Sequence, residues 1–219
     1  SLFLSCGTWS LIGTSVEEAK VEREVYEKNL TNELSYHSET LFFKNITGLY
    51  LLEKYKAELE ERLGRKIPFQ EITDFVKKDE ESKSLVDMDA EVFGREGIEV
   101  KKEIDAFILS HGGTVPKEDF SYFTLIYESM VEKYREVKED IENILGRNFT
   151  KLHMIGGGAR SEVLAEKIAK KLKVQVKAGP YESSALGNIL LCLLHEKEIE
   201  SIEEGRKLIY AASEVKDYS

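Results

Sequence analysis

The chain has 219 residues, 42% of them hydrophobic and 33% charged, with a formal net charge of -10 and a pI near 5.1. Such a length allows one large or two small domains and a substantial core. The acidic balance argues against a nucleic-acid surface, which needs clustered Lys and Arg to neutralise phosphates, and no run reaches the roughly 18 to 20 apolar residues of a membrane span.

Residues 2–14, LFLSCGTWSLIGT, read as two β-rich runs joined at Cys6, Gly7 and Thr8. The turn of such a hairpin can present backbone amides and the Thr8 hydroxyl to an anion, or be only a turn. Cys6 and Cys192 belong to no C-x-x-C, so they carry no metal or redox signature. A polar helix is expected over 16–28 and a strand near 40–43. From 45 to 63 the residues Ile46, Leu49, Leu52, Tyr55, Leu59 and Leu63 recur at three or four, the stripe of an amphipathic helix. Asn45 is placed at its N-cap and Gly64 at its C-cap.

Pro68 opens a short helix to about 78. The segment 82–97 is irregular, and its paired Asp87 and Asp89 lack the further ligands of a calcium loop, so they read as a surface turn. A helix over 98–110 leads to His111, Gly112 and Gly113. With no G-x-S-x-G nucleophile in the chain, this is a helix terminator rather than an oxyanion loop. Between 116 and 145 the positions Phe120, Phe123, Tyr127, Met130, Tyr134, Val137, Ile141 and Ile144 alternate steps of three and four. A coiled-coil seam would look the same, but the aromatic content favours a long helix packed on a sheet.

The stretch 151–162, KLHMIGGGARSE, reads as a strand, three glycines and the start of a helix running to about 171. Glycines at a strand exit let the backbone approach a ligand, and helix-start amides attract phosphate. A tight turn explains the same residues, and Gly156, Gly157 and Gly158 form neither G-x-G-x-x-G nor a Walker A loop. A strand over 174–178, the turn at Gly179 and Pro180, and a helix over 181–196 complete a parallel βαβ unit, with ligands expected at the carboxyl ends of its strands. A last helix covers 202–212. The sequons at Asn29, Asn45 and Asn148 would matter only in a secreted chain, and with no visible signal peptide the expected home is the cytoplasm. The chain opens on Ser1 rather than Met and reads as a piece of a longer protein.

Taken together, SCGTWSLIG (5–13), NLTNE (29–33), FKNITGLYLLE (43–53), LVDMDAEVF (85–93), LHMIGGGARS (152–161) and AGPYESSALGN (178–188) resemble the C-terminal domain of the FGGY carbohydrate kinases, nearest to their rhamnulokinase branch. The resemblance implies an α/β fold, an actin-like ATPase (RNase H-like) domain with a mixed sheet flanked by helices, over residues 1–219. It implies ATP with Mg2+ as cofactors and a ketose such as L-rhamnulose as the sugar. Thr8, with the adjoining Gly7, would face the ATP phosphates; Gly157, Gly158 and Ala159 would lie against adenosine; Asn45 would touch the sugar. Gly187 would allow close approach beside the adenosine site and Asn188 would cap.

Three departures from the family pattern stand out. Cys6 takes the place of a common Ser, Ser161 that of a frequent Asn, and Glu53 that of a nucleotide-contacting Gln; a carboxylate accepts hydrogen bonds but cannot donate them. The family's catalytic aspartate lies a short way before the GTW strand, so no residue of this sequence is assigned a catalytic role, and none a metal. The N-terminal kinase domain is the implied partner. The expectation is a nucleotide-binding half of a sugar kinase, inactive by itself. The alternatives are a non-catalytic actin-like nucleotide-binding or regulatory module, and a helical interaction protein using the 116–145 seam.

Overall fold

The structure is a computed structural model that describes residues 1–36, 39–95 and 97–219. Seven strands form one mixed sheet in the order β3-β4-β2-β1-β5-β6-β7. β1 (Leu2–Cys6) and β2 (Trp9–Val16) make the expected antiparallel hairpin, with Cys6 opposite Ser10. β4 (Thr40–Thr47) pairs antiparallel with β2, and β3 (Thr31–Leu34) with β4. On the other flank β5 (Lys151–Ile155) and β6 (Gln175–Ala178) run parallel to β1, joined by α6 (Glu162–Leu172) as the expected βαβ unit. β7 (Lys216–Tyr218) closes that edge antiparallel to β6. The outermost strands, TNEL and KDY, have no apolar alternation, so only their neighbours make them strands.

Two expectations are overturned. The 16–28 helix shrinks to α1 (Arg23–Glu27), because Ser15 and Val16 continue β2 against Leu41 and Thr40. The charged residues that follow are exposed except for half-buried Lys20, and offer no stripe that could bury a longer helix. The second concerns Asn45, which caps no helix. It lies inside β4 opposite Leu11, and α2 (Tyr50–Leu63) starts beyond it with Leu49 at its N-cap and Gly64, at φ 64°, at its C-cap. The β-branched Ile46 and Thr47 carry the strand on, and Gly48 then turns the chain hard against the hairpin. A Cβ at Gly48 would sit 2.6 Å from the Gly7 carbonyl oxygen and 2.7 Å from the Trp9 carbonyl carbon.

α3 (Phe69–Val76) and α4 (Val100–Ser110) follow, and Gly112, at φ 71°, helps to stop α4 as expected. α5 (Ser121–Leu145) packs on the sheet, burying Phe123, Tyr127, Met130, Tyr134, Val137 and Ile141 of the predicted seam. The packed helix therefore holds over the coiled coil. α7 (Ser183–His195) and α8 (Ile202–Ala212) come last.

The irregular 82–97 segment, of which Glu96 lies outside the described residues, is tied to α5. The Ser82 amide donates to Glu128 at 2.8 Å and the Val86 amide to the Ser129 hydroxyl at 3.0 Å. Asp87 and Asp89 pair with Lys133 at 2.7 and 3.5 Å, and Asp89 also with Lys44 at 2.7 Å. The paired carboxylates thus form a clamp between β4 and α5.

Candidate functional site

β1, β4, β5 and β6 all point the same way, so their carboxyl ends share one edge of the sheet. That edge gathers most of the residues singled out in the sequence. β1 and β5 run in register with Ser5 opposite Ile155, which sets the turn at Gly7 and Thr8 directly beside Gly156. The approach is close: a Cβ on Gly156, whose φ is 84°, would stand 2.8 Å from the Cys6 carbonyl oxygen. Only glycine tolerates both that contact and that backbone angle.

The three glycines are not equivalent. Gly157 is exposed, a side chain there would meet nothing within 4 Å, and its amide has no acceptor among the described residues. Gly158 is buried, and a Cβ there would come 2.3 Å from the Cys6 Sγ. Ala159 is buried too, in the core. Residues Gly157–Arg160 form a single 3-10 turn, after which Ser161 caps α6 by accepting from the Leu164 amide at 3.4 Å. Gly157 is therefore the member of the trio that offers a surface to a ligand.

On the hairpin side, the Gly7 and Thr8 carbonyls are occupied by the amides of Leu49, at 2.9 Å, and of Gly48 and Tyr50, at 3.1 and 3.2 Å. The Gly7 amide is spent on the Trp9 carbonyl at 3.0 Å. What remains for a ligand is Thr8, whose amide and exposed side-chain hydroxyl have no partner among the described residues. These bonds tie the entry of α2, at Gly48, Leu49 and Tyr50, to the hairpin turn. Glu53, in the first turn of α2, is exposed.

Asn45 lies on the opposite sheet face from α5. Ser10 reaches Tyr134 of α5 at 2.6 Å, so the next residue, Leu11, and its cross-strand partner Asn45 point the other way. Asn45 is exposed there, in a row with Leu11, Ser5 and Ile155. The second glycine turn joins the same edge, with the Gly179 amide donating to the Met154 carbonyl at 2.8 Å. The Arg160 guanidinium sits 5.0 Å from the Tyr181 ring centroid and 3.3 Å from Glu182, bridging the two turns. One expectation about 178–188 fails: Asn188 is an exposed mid-helix residue that caps nothing. Gly187 faces open space, which leaves room for a close approach.

Beneath the turns is a buried polar cluster that sequence reading missed. Cys6, Ser10 and Tyr134 are each fully buried; the Ser10 and Tyr134 hydroxyls are 2.6 Å apart and the Cys6 Sγ is 3.9 Å from both. Burial pushes the Cys6 thiol up to about 11, against the opposing effect of its two hydroxyl neighbours. The available signal was modest: Ser10 shares strand parity with core-facing Ile12.

The chain matches the FGGY family of carbohydrate kinases, C-terminal domain, over residues 2–195. It is similar to the rhamnulokinase of Halalkalibacterium halodurans, 33% identical over 218 residues, which are 100% of this chain and 45% of that protein. It is also similar to the rhamnulokinase of Lactiplantibacillus plantarum, 29% identical over 99% of this chain and 43% of that one. Among solved structures it resembles a ligand-bound xylulose kinase from Lactobacillus acidophilus, with a TM-score of 0.71 and 12% identity over 99% of this chain and 42% of that one. Plasmodium falciparum glycerol kinase with ADP gives a TM-score of 0.68 and 13% identity over the same shares, 99% and 42%. Those likenesses establish the actin-like ATPase fold with its mixed sheet flanked by helices. The chain spans less than half the length of the curated relatives it matches.

Proposed function

The chain belongs to the FGGY family of carbohydrate kinases, in the C-terminal domain of that family, and we propose that it is the nucleotide-holding half of a sugar kinase of the rhamnulokinase type. The observation that carries this reading is the meeting of two turns at one sheet edge, the Thr8 turn and the Gly157 turn. Gly157, with its free amide and open surroundings, is assigned to adenosine; Gly158 and Ala159 shape the turn from below. Thr8, with Gly7 fixing its turn, is assigned to the phosphates through its unpartnered hydroxyl.

The exposed carboxylate of Glu53 can accept from an amino or ribose hydroxyl group and would repel phosphate, so it is placed on the nucleoside side. Asn45 is assigned to the sugar, a ketose such as L-rhamnulose, across the face opposite α5. Among the described residues no group of three or more His, Cys, Asp or Glu side chains is arranged to hold a metal ion. Mg2+ is therefore assigned to the ATP phosphates and water, its usual ligands in such reactions.

ATP bound here would supply the phosphoryl group, and this chain's residues would position it and exclude water. Phosphoryl transfer depends mainly on alignment and charge neutralisation. The base that takes the sugar proton, and closure over the cleft, are assigned to the domain that makes up the rest of the relatives' length. A cytoplasmic setting belongs to the same reading.

Titration calorimetry with ADP tests the pocket. Gly157→Val is expected to weaken binding by about tenfold, roughly 1.4 kcal/mol, while leaving the thermal midpoint in place, because the added side chain meets only open space. Gly158→Val is no substitute, since it collides with Cys6 and destabilises the fold. Unchanged ADP affinity in Gly157→Val would put the site elsewhere. In a coupled assay with ATP and L-rhamnulose the chain alone is expected to give no sugar-dependent ADP.

A further inference from the structure

Two tyrosines of α5 stand under the glycine turn, seven residues apart and so on one helix face. Tyr134 meets Ser10 at 2.6 Å, and Ser10 and Cys6 lie side by side on the first hairpin, with the Cys6 sulfur pressed against the Gly158 backbone. Tyr127 meets the Ser161 hydroxyl at 3.5 Å, and Ser161 caps α6 through the Leu164 amide. One tyrosine therefore supports the β1 side of the turn and the other its α6 side. Both are buried, Tyr134 completely and Tyr127 to 3% exposure. Phenylalanine would fill the same space without a hydroxyl to satisfy, and burying a hydroxyl is costly unless its bond is made.

We propose that Tyr134 and Tyr127 are positioning residues for the nucleotide platform, holding the Gly157 turn at a set height above β1 through Ser10, Cys6 and Ser161. The inference rests on the assignment of Gly157 to the nucleotide. Neither tyrosine touches the ligand; both act through the backbone that does. A platform displaced by a fraction of an ångström binds less well, since preorganised contacts tolerate only about 0.5 Å of error.

The test compares Tyr134→Phe, Tyr127→Phe and the double variant Ser10→Ala/Tyr134→Phe. Three quantities are read on the whole chain: ADP affinity, thermal midpoint without nucleotide, and the amide resonances of Gly157 and Gly158. Tyr134→Phe leaves the Ser10 hydroxyl only its long contact with the Cys6 sulfur, 3.9 Å, so both midpoint and affinity are expected to fall, the affinity about fivefold. The double variant removes that poorly bonded hydroxyl and is expected to recover the midpoint but not the affinity. Tyr127→Phe is expected to shift the Gly157 and Gly158 resonances and weaken ADP with little change in midpoint.

A stability control on α4, Ile104→Val, is expected to lower the midpoint and leave ADP affinity unchanged. Recovery of both quantities in the double variant, or unmoved resonances in both single variants, would overturn the proposal. So would an affinity loss in the control equal to that in Tyr134→Phe. If the unmodified chain binds no ADP, the nucleotide assignment fails, and the resonances alone then decide whether the tyrosines set the turn.

Discussion

α5 and α7 are both apolar helices of one chain, and they meet opposite fates. α5 buries twelve residues between the sheet and its neighbouring helices. α7, SSALGNILLCLLH, is richer in apolar residues and buries only Leu190; Ile189 is 54% exposed and Leu191 38%. Its companion α8 adds Leu208 and Tyr210, 53% and 55% exposed. A groove of about 950 Å³ runs along α7, lined in part by Ser184, Asn188, Leu191 and Leu194. A helix apolar on most sides is normally covered on most sides. The contrast separates a layer that completes itself from one whose composition anticipates a cover.

The strongest way to break this contrast is to truncate one side chain on each helix. Phe123 is fully buried and meets Tyr55 edge-on, ring centroids 5.1 Å apart. Phe123→Ala should cost about 3 to 5 kcal/mol in urea unfolding. Leu191→Ser on α7 should stay within about 0.5 kcal/mol. A large loss in the second variant would show that α7 is buried in solution, and the two helices would then be alike.

Acid offers a smaller effect on the packed side. Glu60 of α2 is nearly buried and accepts from the Ile67 amide at 2.8 Å, Lys56 at 2.5 Å and Lys66 at 3.0 Å. These donors, the Ile67 amide foremost, hold its carboxyl down to about 2 from an ordinary 4.5. Its contribution is complete above the unfolded value and is lost as pH falls from about 4.5 towards 2. Glu60→Gln should lower stability at neutral pH and flatten the decline over that window, measured by unfolding at stepped pH. Glu203→Gln on α8, whose pair with Arg206 is exposed and 3.9 Å long, should leave the curve unchanged. A parallel curve for Glu60→Gln would mean that the three donors do not set the acid limb.

Much of the packed layer was legible in the sequence because periodicity records burial. The three-four spacing from Phe120 to Ile144 specified α5, and the glycine run after an apolar strand marked the β5 exit. Periodicity failed where residues suited two patterns. Ile46 fell in step with the α2 stripe yet extends β4, a choice made by pairing with Ser10 rather than by local preference. The spelling GGG also hides the difference between an exposed Gly157 and a Gly158 seated on Cys6, since register with β1 decides it. The Ser10 and Tyr134 contact joins residues 124 apart, beyond any spacing rule. The six motifs carried the family, and the match over residues 2–195 bears that out; the roles proposed for Thr8, Asn45, Glu53 and Gly157 come from the resemblance.

The two cysteines give the finest probe of the contrast, because one stands in each region. Cys6 is fully buried on the α5 face, and its thiol is pushed up to about 11, so at pH 8 almost none of it is the reactive thiolate. Cys192 is exposed on α7. A disulfide reagent should therefore titrate one thiol rapidly in the native chain and the second only after denaturant is added. The modified chain should keep its unfolding midpoint, since an adduct on Cys192 projects from a face that this chain leaves open. Rapid loss of both thiols would mean that the layer under the glycine turn opens readily, and α5 would lose its standing as the rigid side. Protection of Cys192 in a longer chain that carries the second domain, with the same thiol reactive here, would identify α7 as the face that domain covers.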